Sequence, residues 1–320
     1  MAAPRFQHND YTVGWLCSQD EELVAASAML DEEHPDLPQP SFDTNQYTLG
    51  SIGHHNVVIV CLPSGVARMI SVAVASTRMG FTFPSLQYML LVGVTGGIPG
   101  EECDIRLGDV VVGTNGVIHY DWGRIAAGGR FIRSTEASKV LPHVMLRNGV
   151  ARLRSTLDKA NRNISDHLSQ TVQENKALPE RFRERVRQDA DLLFESGYTH
   201  VGGRSCAHCD IGHLVQRVPR SEDGPYVHYG LVASGSSFIR DSGTRDIITR
   251  ELNALCIDTE AAGLMSTYPA IVIRGICDYT DSHKSPAFQN VAAARASAYA
   301  KELLKIVPAH RQNGMIHTIS

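Results

Sequence analysis

Seven short apolar runs, each followed closely by a glycine, a serine or an acidic residue, constrain the fold of this chain more than any other feature. The runs are rich in valine, isoleucine and leucine and almost continuously apolar, which predicts strands that are covered on both faces of a sheet. They occupy residues 11–17, 56–65, 88–97, 109–113, 229–235, 255–261 and 270–278. Helical patterns alternate with them at 21–30, 68–79 and 290–307. This alternation predicts a three-layer α/β/α fold around a mixed, largely parallel central sheet.

The chain is expected to form a single domain over residues 11–307, with tails at 1–10 and 308–320. A chain of 320 residues is long enough to bury one large core. Residues from about 157 to 225 differ from the rest, because they are polar and charged at first and then rich in glycine, cysteine and histidine. We interpret this segment as a helical insertion and a loop that belong to the same domain.

The overall charge and the cysteine content limit the classes of partner. A formal net charge of −4 gives no electrostatic footprint for nucleic acid or for an anionic membrane. No stretch reaches the roughly 18 apolar residues that a membrane helix needs, and the N-terminus lacks the pattern of an export signal. Seven cysteines, an odd number in a chain of this size, fit a reducing compartment. We therefore expect a cytoplasmic protein that binds a small molecule, with neither nucleic acid nor membrane as a partner.

Polar side chains collect where the predicted strands end. Glu22 follows the first strand, the glycine-rich VTGG turn at 94–97 ends the third, and Glu260 and Asp278 end the last two. Ligands of open α/β sheets bind outside the carboxyl ends of the strands, where neighbouring loops diverge. Each acid taken alone is equally well explained as a helix cap, and VTGG as a tight turn that needs glycine for steric reasons. Their presence at several strand ends together predicts one shared pocket.

Five motifs resemble those of the superfamily of nucleoside phosphorylases and methylthioadenosine/S-adenosylhomocysteine nucleosidases. They are YTVGWLCSQDEEL, LLVGVTGGIP, VASGSSFI, IDTEAAG and RGICDYTD, in the family order. The resemblance runs from Tyr11 to about Val307 and is strongest with fungal proteins that carry a nucleoside phosphorylase-like domain. It implies the fold of that family, a purine nucleoside as substrate, no cofactor, and assembly into a homo-oligomer.

The resemblance also implies roles for the polar residues. Asp278 matches the acid that donates a proton to the leaving purine, and Glu22 matches the carboxylate that activates water. Glu260 matches the acid that holds the ribose hydroxyls, and Phe238 matches the aromatic residue that contacts the purine. Asp281 is interpreted as a turn or supporting residue. Four further positions of the family's substrate site are occupied here by Thr95, Gly96, Ser236 and Thr259.

Water rather than phosphate is the predicted nucleophile. Phosphate-using members of the family hold the anion with arginines, whereas the matching neighbourhoods here contain the acidic Asp20 and Glu22 and the apolar Leu91. Arg68 is the one residue that would restore an anion site. The predicted function is therefore a purine nucleosidase that acts on adenosine-like nucleosides. The alternatives are a phosphate-dependent nucleoside phosphorylase, and a nucleoside pocket that has been reassigned to another small molecule or to ligand sensing.

A cysteine and histidine cluster lies within the predicted insertion, in the sequence HVGGRSCAHCDIGH. Two thiolates and two imidazoles complete a tetrahedral zinc site in many proteins. The candidate ligands for zinc are Cys206, Cys209, His200 and His213. The alternative is a flexible loop that carries free thiols. In either case the segment is expected to cover or border the pocket and to take no part in the chemistry.

Overall fold

The computed structural model of the chain describes residues 5–63, 65–100, 103–134, 139–160, 162–184, 190–203, 205–220, 224–284 and 286–309. The strands are β1 Val13–Cys17, β2 Glu32–His34, β3 Tyr47–Ile52, β4 His55–Cys61, β5 Tyr88–Gly97, β6 Val110–Val112, β7 Val117–His119, β8 Gly123–Ile125, β9 Phe131–Arg133, β10 Val227–Tyr229, β11 Leu231–Ser234, β12 Ala254–Asp258 and β13 Ile271–Asp278. The helices are α1 Asp20–Ser27, α2 Arg68–Thr82, α3 Val144–Lys159, α4 Ile164–Glu174, α5 Glu180–Arg183, α6 Ser242–Leu252, α7 Ala261–Met265 and α8 Gln289–Ile306. Within these described ranges, no helix is long and apolar enough to cross a lipid bilayer.

One mixed sheet organises the molecule, and the predicted fold class is confirmed. Its main strand order is β10-β6-β13-β5-β1-β4-β3-β2, and β12 joins it at the C-terminal end of β5. Strand β5 runs parallel to both of its long neighbours, β1 and β13, while β12 is antiparallel to it. The carboxyl ends of β1, β5 and β13 therefore lie side by side at one edge of the sheet.

Strand β5 lies between two apolar cores because its side chains alternate between the faces of the sheet. Leu90 and Val92 point into a core formed with helices α3, α4 and α8. Met89 and Leu91 point into the opposite core, formed with α2 and α7. All ten residues of β5 are buried, which explains why this stretch of sequence is almost continuously apolar.

Helix α8 approaches β13 closely because β13 carries a glycine at the contact. A Cβ atom on Gly275 would lie 2.1 Å from the backbone oxygen of Ala292 in α8. Alanine side chains on the buried face of α8 keep the helix narrow at this contact. The helix and the strand therefore pack at short range, and this packing fixes the end of β13 where Asp278 lies.

The seven apolar runs all contain strands, and the three predicted helices coincide with α1, α2 and α8. Helices α3, α6 and α7 were not expected from the sequence. In α3 the apolar spacing is present, but charged residues separate the buried positions, and the helix ends inside the segment that we interpreted as an insertion. The buried positions of α3 that carry this spacing are Leu146, Val150, Leu153 and Leu157.

The segment from 157 to 225 contains α4 and α5, followed by irregular chain with short 3-10 turns. Leu168 and Val172 of α4 and Phe182 of α5 are buried in the same core as α8. The segment is therefore packed against the domain and is not a separate unit. Of the two predicted tails, residues 1–4 and 310–320 lie outside the described part of the chain.

The buried carboxylate of Asp109 connects the end of this segment to the sheet. Its contacts make the stability of the fold depend on pH. Its oxygens lie 2.7 Å from Arg220 Nη1 and Nη2 and 2.8 Å from His228 Nε2. Burial alone would lower the pKa of His228, but Asp109 outweighs it and raises this pKa to about 9. Because the folded pKa exceeds the unfolded value, the stabilisation is complete below pH ~6.5 and is lost as the pH rises through about 9.

We expect His228→Gln to lower the free energy of unfolding by about 3 kcal/mol at pH 6 and by much less at pH 10, since a shift of one pKa unit corresponds to about 1.4 kcal/mol. Urea unfolding of both proteins at the two pH values measures the difference. His54→Gln, at an exposed position, is the matched control. An equal loss at both pH values would show that His228 stabilises the fold without its charge.

Candidate active site

A cleft of about 310 Å³ opens at the carboxyl ends of β5, β12 and β13. This volume is at the lower end of the range of small-molecule sites. Six of the residues that we predicted to bind or process substrate line it, namely Thr95, Gly96, Phe238, Thr259, Glu260 and Asp278. The other polar residues of its wall include Gln19, Arg68, Ser237, Arg240, Asp258, Thr280, Lys284 and Gln289. Segments that are far apart in the sequence thus meet at one site.

Glu22 lies directly behind the wall of the cleft, in the first turn of α1. Its Oε2 accepts a hydrogen bond from Ser18 N at 2.6 Å, and its Oε1 accepts one from Val94 N at 2.8 Å. Gly93 leaves the space for this carboxylate, because a Cβ atom there would lie 2.3 Å from Oε1. Burial raises the pKa of Glu22; the Arg274 guanidinium opposes that shift and Glu260 adds to it. The side chain is held in one position and is only 2% exposed.

Glu260, which follows β12, is surrounded by hydrogen-bond donors. Arg274 Nη2 donates to Oε2 at 2.8 Å, and Oε1 accepts from Arg68 Nη1 at 2.9 Å and from Thr259 Oγ1 at 3.0 Å. Burial alone would raise the pKa of Glu260, but the two guanidinium groups outweigh it and lower this pKa. The carboxylate is therefore ionised at neutral pH, and it faces the cleft.

Arg274 is a component of the site that sequence reasoning missed. Its side chain is fully buried in the middle of β13, where it also pairs with Asp258 at 2.7 Å. The signal was present in the sequence, since an arginine inside the apolar run IVIRGICD needs a buried acidic partner. This arginine compensates the charges of Asp258 and Glu260 together.

Asp278 is the last residue of β13, where the register with β5 shifts and the carboxylate turns towards Gly96. Thr280 N donates to its Oδ1 at 2.8 Å, and Lys284 Nζ donates to its Oδ2 at 2.9 Å. Lys284 was not identified from the sequence. Asp281 is absent from the described lining of the cleft, and its Oδ1 accepts a hydrogen bond from His283 N at 2.8 Å. We refer to residues 278–284 as the acid loop.

Phe238 and Arg68 form the outer side of the cleft. The Phe238 ring is 60% exposed, and the Arg68 guanidinium carbon lies 4.9 Å from the ring centroid. Arg68 thus bridges an exposed aromatic ring and the buried Glu260. Ser236 does not appear among the residues described as lining the cleft; its backbone N–H donates to Asp121 Oδ2 at 2.6 Å.

The segment from 157 to 225 supports the acid loop through a half-buried polar cluster. The Tyr279 hydroxyl donates to Asp191 and accepts a hydrogen bond from Arg217 Nη1 at 2.8 Å. Arg217 Nη2 lies 2.9 Å from Asp191 Oδ2 and closes the cluster. Tyr279 is adjacent to Asp278, so this contact bears directly on the position of the acid.

The structure brings together some of the predicted zinc ligands and separates one from them. His200, Cys206 and Cys209 lie within hydrogen-bond range of one another, with both sulfur atoms close to His200 Nδ1. His213 instead pairs with Glu195, at 3.0 Å between Nδ1 and Oε2, and its ring stacks on Tyr198.

Comparison with known proteins agrees with this architecture. A family model described as the phosphorylase superfamily matches residues 12–305. The chain belongs to the phosphorylase superfamily. This member is 18% identical to a 5′-methylthioadenosine/S-adenosylhomocysteine nucleosidase of Neisseria meningitidis, solved with methylthio-immucillin-A, with a TM-score of 0.59 over 92% of this chain and 98% of that chain. It is 15% identical to a futalosine hydrolase of Helicobacter pylori, with a TM-score of 0.57 over 93% and 99% of the two chains. At these identities the likeness concerns the fold.

A longer relative of this superfamily member is a nucleotide-binding leucine-rich repeat (NLR)-like protein of Hyaloscypha variabilis. The two are 41% identical over 313 residues, which are 95% of this chain and 30% of that protein. The chain therefore spans less than a third of the relative's length.

Proposed function

We propose that this chain is a purine nucleosidase, which hydrolyses the N-glycosidic bond of adenosine-like nucleosides to the free base and ribose. The single observation that supports it most is the position of Glu260 and Asp278 in one cleft at the strand ends, with Glu22 directly behind the wall of that cleft. Cleavage of this bond needs an acid that protonates the leaving base, a carboxylate that activates water, and a group that holds the sugar while it develops positive charge. Three carboxylates in separate environments match these three tasks.

The environments of the carboxylates support a division of roles. Asp278 lies beside Lys284 and Thr280, on the side of the cleft where we assign the purine, and it protonates the leaving base. Glu260 is ionised and retains acceptor capacity, because a carboxylate accepts about four hydrogen bonds and three are in use. It holds the ribose hydroxyls and stabilises the developing charge of the sugar.

Glu22 and Phe238 complete the proposed mechanism. Glu22 is fixed by two backbone amides behind Val94 and accepts the proton of the attacking water. The exposed ring of Phe238 offers a flat apolar surface to the purine, and Arg68 borders that ring. Thr95 and Gly96 supply the wall between the base and the sugar.

The charges around the cleft favour water over phosphate as the nucleophile. Arg68 is paired with the ionised Glu260, so its positive charge is already matched. A phosphate dianion would have to draw Arg68 away from Glu260 and would approach the buried charges of Glu22 and Glu260. Water is uncharged, so hydrolysis requires neither the displacement of Arg68 nor the approach of an anion to these carboxylates.

The decisive experiment incubates the purified chain with a panel of purine nucleosides, with and without phosphate, and separates the products by chromatography. We expect free base and ribose at equal rates in both conditions. Base release that requires phosphate and yields ribose 1-phosphate would identify a phosphorylase. Nucleoside binding without any turnover would identify a ligand sensor.

We expect Glu22→Gln to reduce kcat/KM by about 10²–10⁴-fold, the usual contribution of a general base. A base acts in its ionised form, so the activity of the unsubstituted chain falls as the pH drops through the pKa of Glu22. Because burial raises that pKa, this limb of the pH–rate profile lies above the value of ~4.3 that is usual for glutamate. The residual activity of Glu22→Gln should not show this acidic fall in rate.

Asp20→Asn is the matched control for this profile, because Asp20 is an exposed acid in the same helical turn. It should retain both the rate and the acidic limb. If Glu22→Gln keeps the limb unchanged, another group takes the proton and the assignment of Glu22 is wrong.

A further inference from the structure

Three potential metal ligands from separate segments meet beside the acid loop. One ligand atom from each of His200, Cys209 and His283 lies within 4.8 Å of the other two. His200 and Cys209 belong to the segment from 157 to 225, whereas His283 belongs to the acid loop. The fold brings these side chains together, and their spacing in the sequence does not indicate it.

Cys206 lies beside this group on the His200 side, although it is not one of the three residues whose ligand atoms all lie within 4.8 Å of one another. Its Sγ lies 3.7 Å from His200 Nδ1, and Cys209 Sγ lies 3.4 Å from the same nitrogen. In a tetrahedral zinc site with Zn–S near 2.3 Å and Zn–N near 2.0–2.1 Å, a sulfur and a nitrogen ligand are separated by about 3.6 Å. Both observed distances fall close to that value.

The two ring nitrogens of His283 are buried and form no hydrogen bond with the described protein atoms. Its side chain is 2% exposed, and neither Nδ1 nor Nε2 has a hydrogen-bond partner among the described residues. The nearest Asp281 oxygen lies 3.8 Å from Nδ1, too far for a hydrogen bond. The ring is fixed by stacking on Phe194 with centroids 4.1 Å apart. A buried and unpaired imidazole is costly, so a ligand for it is expected.

His200 is oriented as metal-bound histidines usually are. Its Nε2 lies 3.4 Å from the carbonyl oxygen of Gly203, and the opposite nitrogen, Nδ1, faces the two sulfur atoms. A backbone carbonyl that accepts the second ring N–H fixes the tautomer in which the other nitrogen is free to bind a metal.

We propose that His200, Cys209 and His283 bind one zinc ion and that the neighbouring Cys206 side chain turns towards the ion to complete a tetrahedral site. Two thiolates and two imidazoles fill the four positions and leave none for water, so the site is structural. His283 takes the place that we had expected for His213, which is paired with Glu195. A bound zinc ion also provides a partner for a ring nitrogen of His283. The alternative, a metal-free loop with free thiols, leaves that nitrogen without one.

The site connects the 200–209 stretch to the acid loop. His283 is adjacent to Lys284, whose ammonium group contacts Asp278. The zinc ion therefore positions the end of the acid loop and takes no part in the reaction. The binding of zinc does not depend on the proposed nucleosidase activity, so failure of one leaves the other standing.

The test measures zinc in the full chain, purified under reducing conditions without chelators, by elemental analysis. We expect about one zinc per chain. Cys209→Ser and His283→Ala should each weaken zinc binding by more than ~100-fold, because loss of an outer-shell partner alone costs about 10–100-fold. His213→Ala is the matched control and should retain the zinc. Loss of zinc in the control together with retention in His283→Ala would overturn the ligand assignment.

A second measurement decides the question on the unsubstituted chain if a variant fails to fold. Cobalt(II) exchanged into the chain should give the absorption of thiolate ligands in tetrahedral geometry, and a strong chelator should abolish it and lower the melting temperature. Two thiols should become reactive at the same time. A reduced, folded chain that takes up neither zinc nor cobalt(II), and whose thiols react equally with and without chelator, would refute the site.

Discussion

Asp278→Asn is expected to slow nucleoside hydrolysis by about 10²–10⁴-fold, which is the usual contribution of a general acid. Asparagine preserves the size of the side chain and keeps an oxygen for the hydrogen bond from Thr280 N, but it carries no proton that can pass to the purine. Because the substrate contacts of Glu260 and Phe238 remain, the loss should appear in kcat rather than in KM. Initial rates with the best nucleoside of the panel measure it.

Asp281→Asn is the comparison for this variant, since Asp281 is also buried in the acid loop but is absent from the described lining of the cleft. Its effect on kcat should be far smaller. Equal rates for Asp278→Asn and the unsubstituted chain would remove Asp278 from its role. A loss that followed the unfolded fraction, measured by circular dichroism, would point to a structural role instead.

Arg274→Met should cost about 3–5 kcal/mol of unfolding free energy, the usual effect of removing one partner from a buried ion pair. Methionine fills a similar volume, yet it leaves the carboxylates of Asp258 and Glu260 buried without their shared partner. Urea unfolding at pH 7 measures the loss. The activity should fall with it, because Glu260 would lose one of the two guanidinium groups that favour its ionised form.

Two further variants isolate the charge effect of Arg274. Arg274→Lys keeps the charge and loses the fork of donors, so its loss should be intermediate. Asp258→Asn, added to Arg274→Met, removes one of the two stranded charges and should recover part of the stability. A destabilisation of Arg274→Met below about 1 kcal/mol would show that the buried carboxylates have another source of compensation.

Local pattern was sufficient to predict the central strands of the sheet but not β2 and β3 at its edge. Strands β1, β4, β5 and β13 are covered on both faces, so their sequences are almost purely apolar and easily recognised. The short strands β7, β8 and β9 contain only three residues each, too few for an alternating pattern. Glu260 and Asp278 were recognised because the family motifs contain them. They meet at one cleft because β12 and β13 both end beside the C-terminal part of β5, β12 running antiparallel to it and β13 parallel.

Residues whose roles depend on tertiary contacts could not be predicted from the local sequence pattern. Lys284 contacts Asp278 only because the acid loop folds back on itself. His283 meets His200 and Cys209 across a long sequence separation, and nothing near His283 resembles a metal motif. Arg274 was visible as a charge in an apolar run, but its partners Asp258 and Glu260 are identified only by the packing of β13 beside the end of β12.

The cluster of Asp191, Arg217 and Tyr279 has a consequence for protein engineering. It would be natural to trim the polar segment between 157 and 225 in order to obtain a minimal enzyme. Such a deletion would remove Asp191 and Arg217 and leave the Tyr279 hydroxyl buried next to the acid with no partner from that segment. A shortened version of this chain should therefore keep residues 190–220.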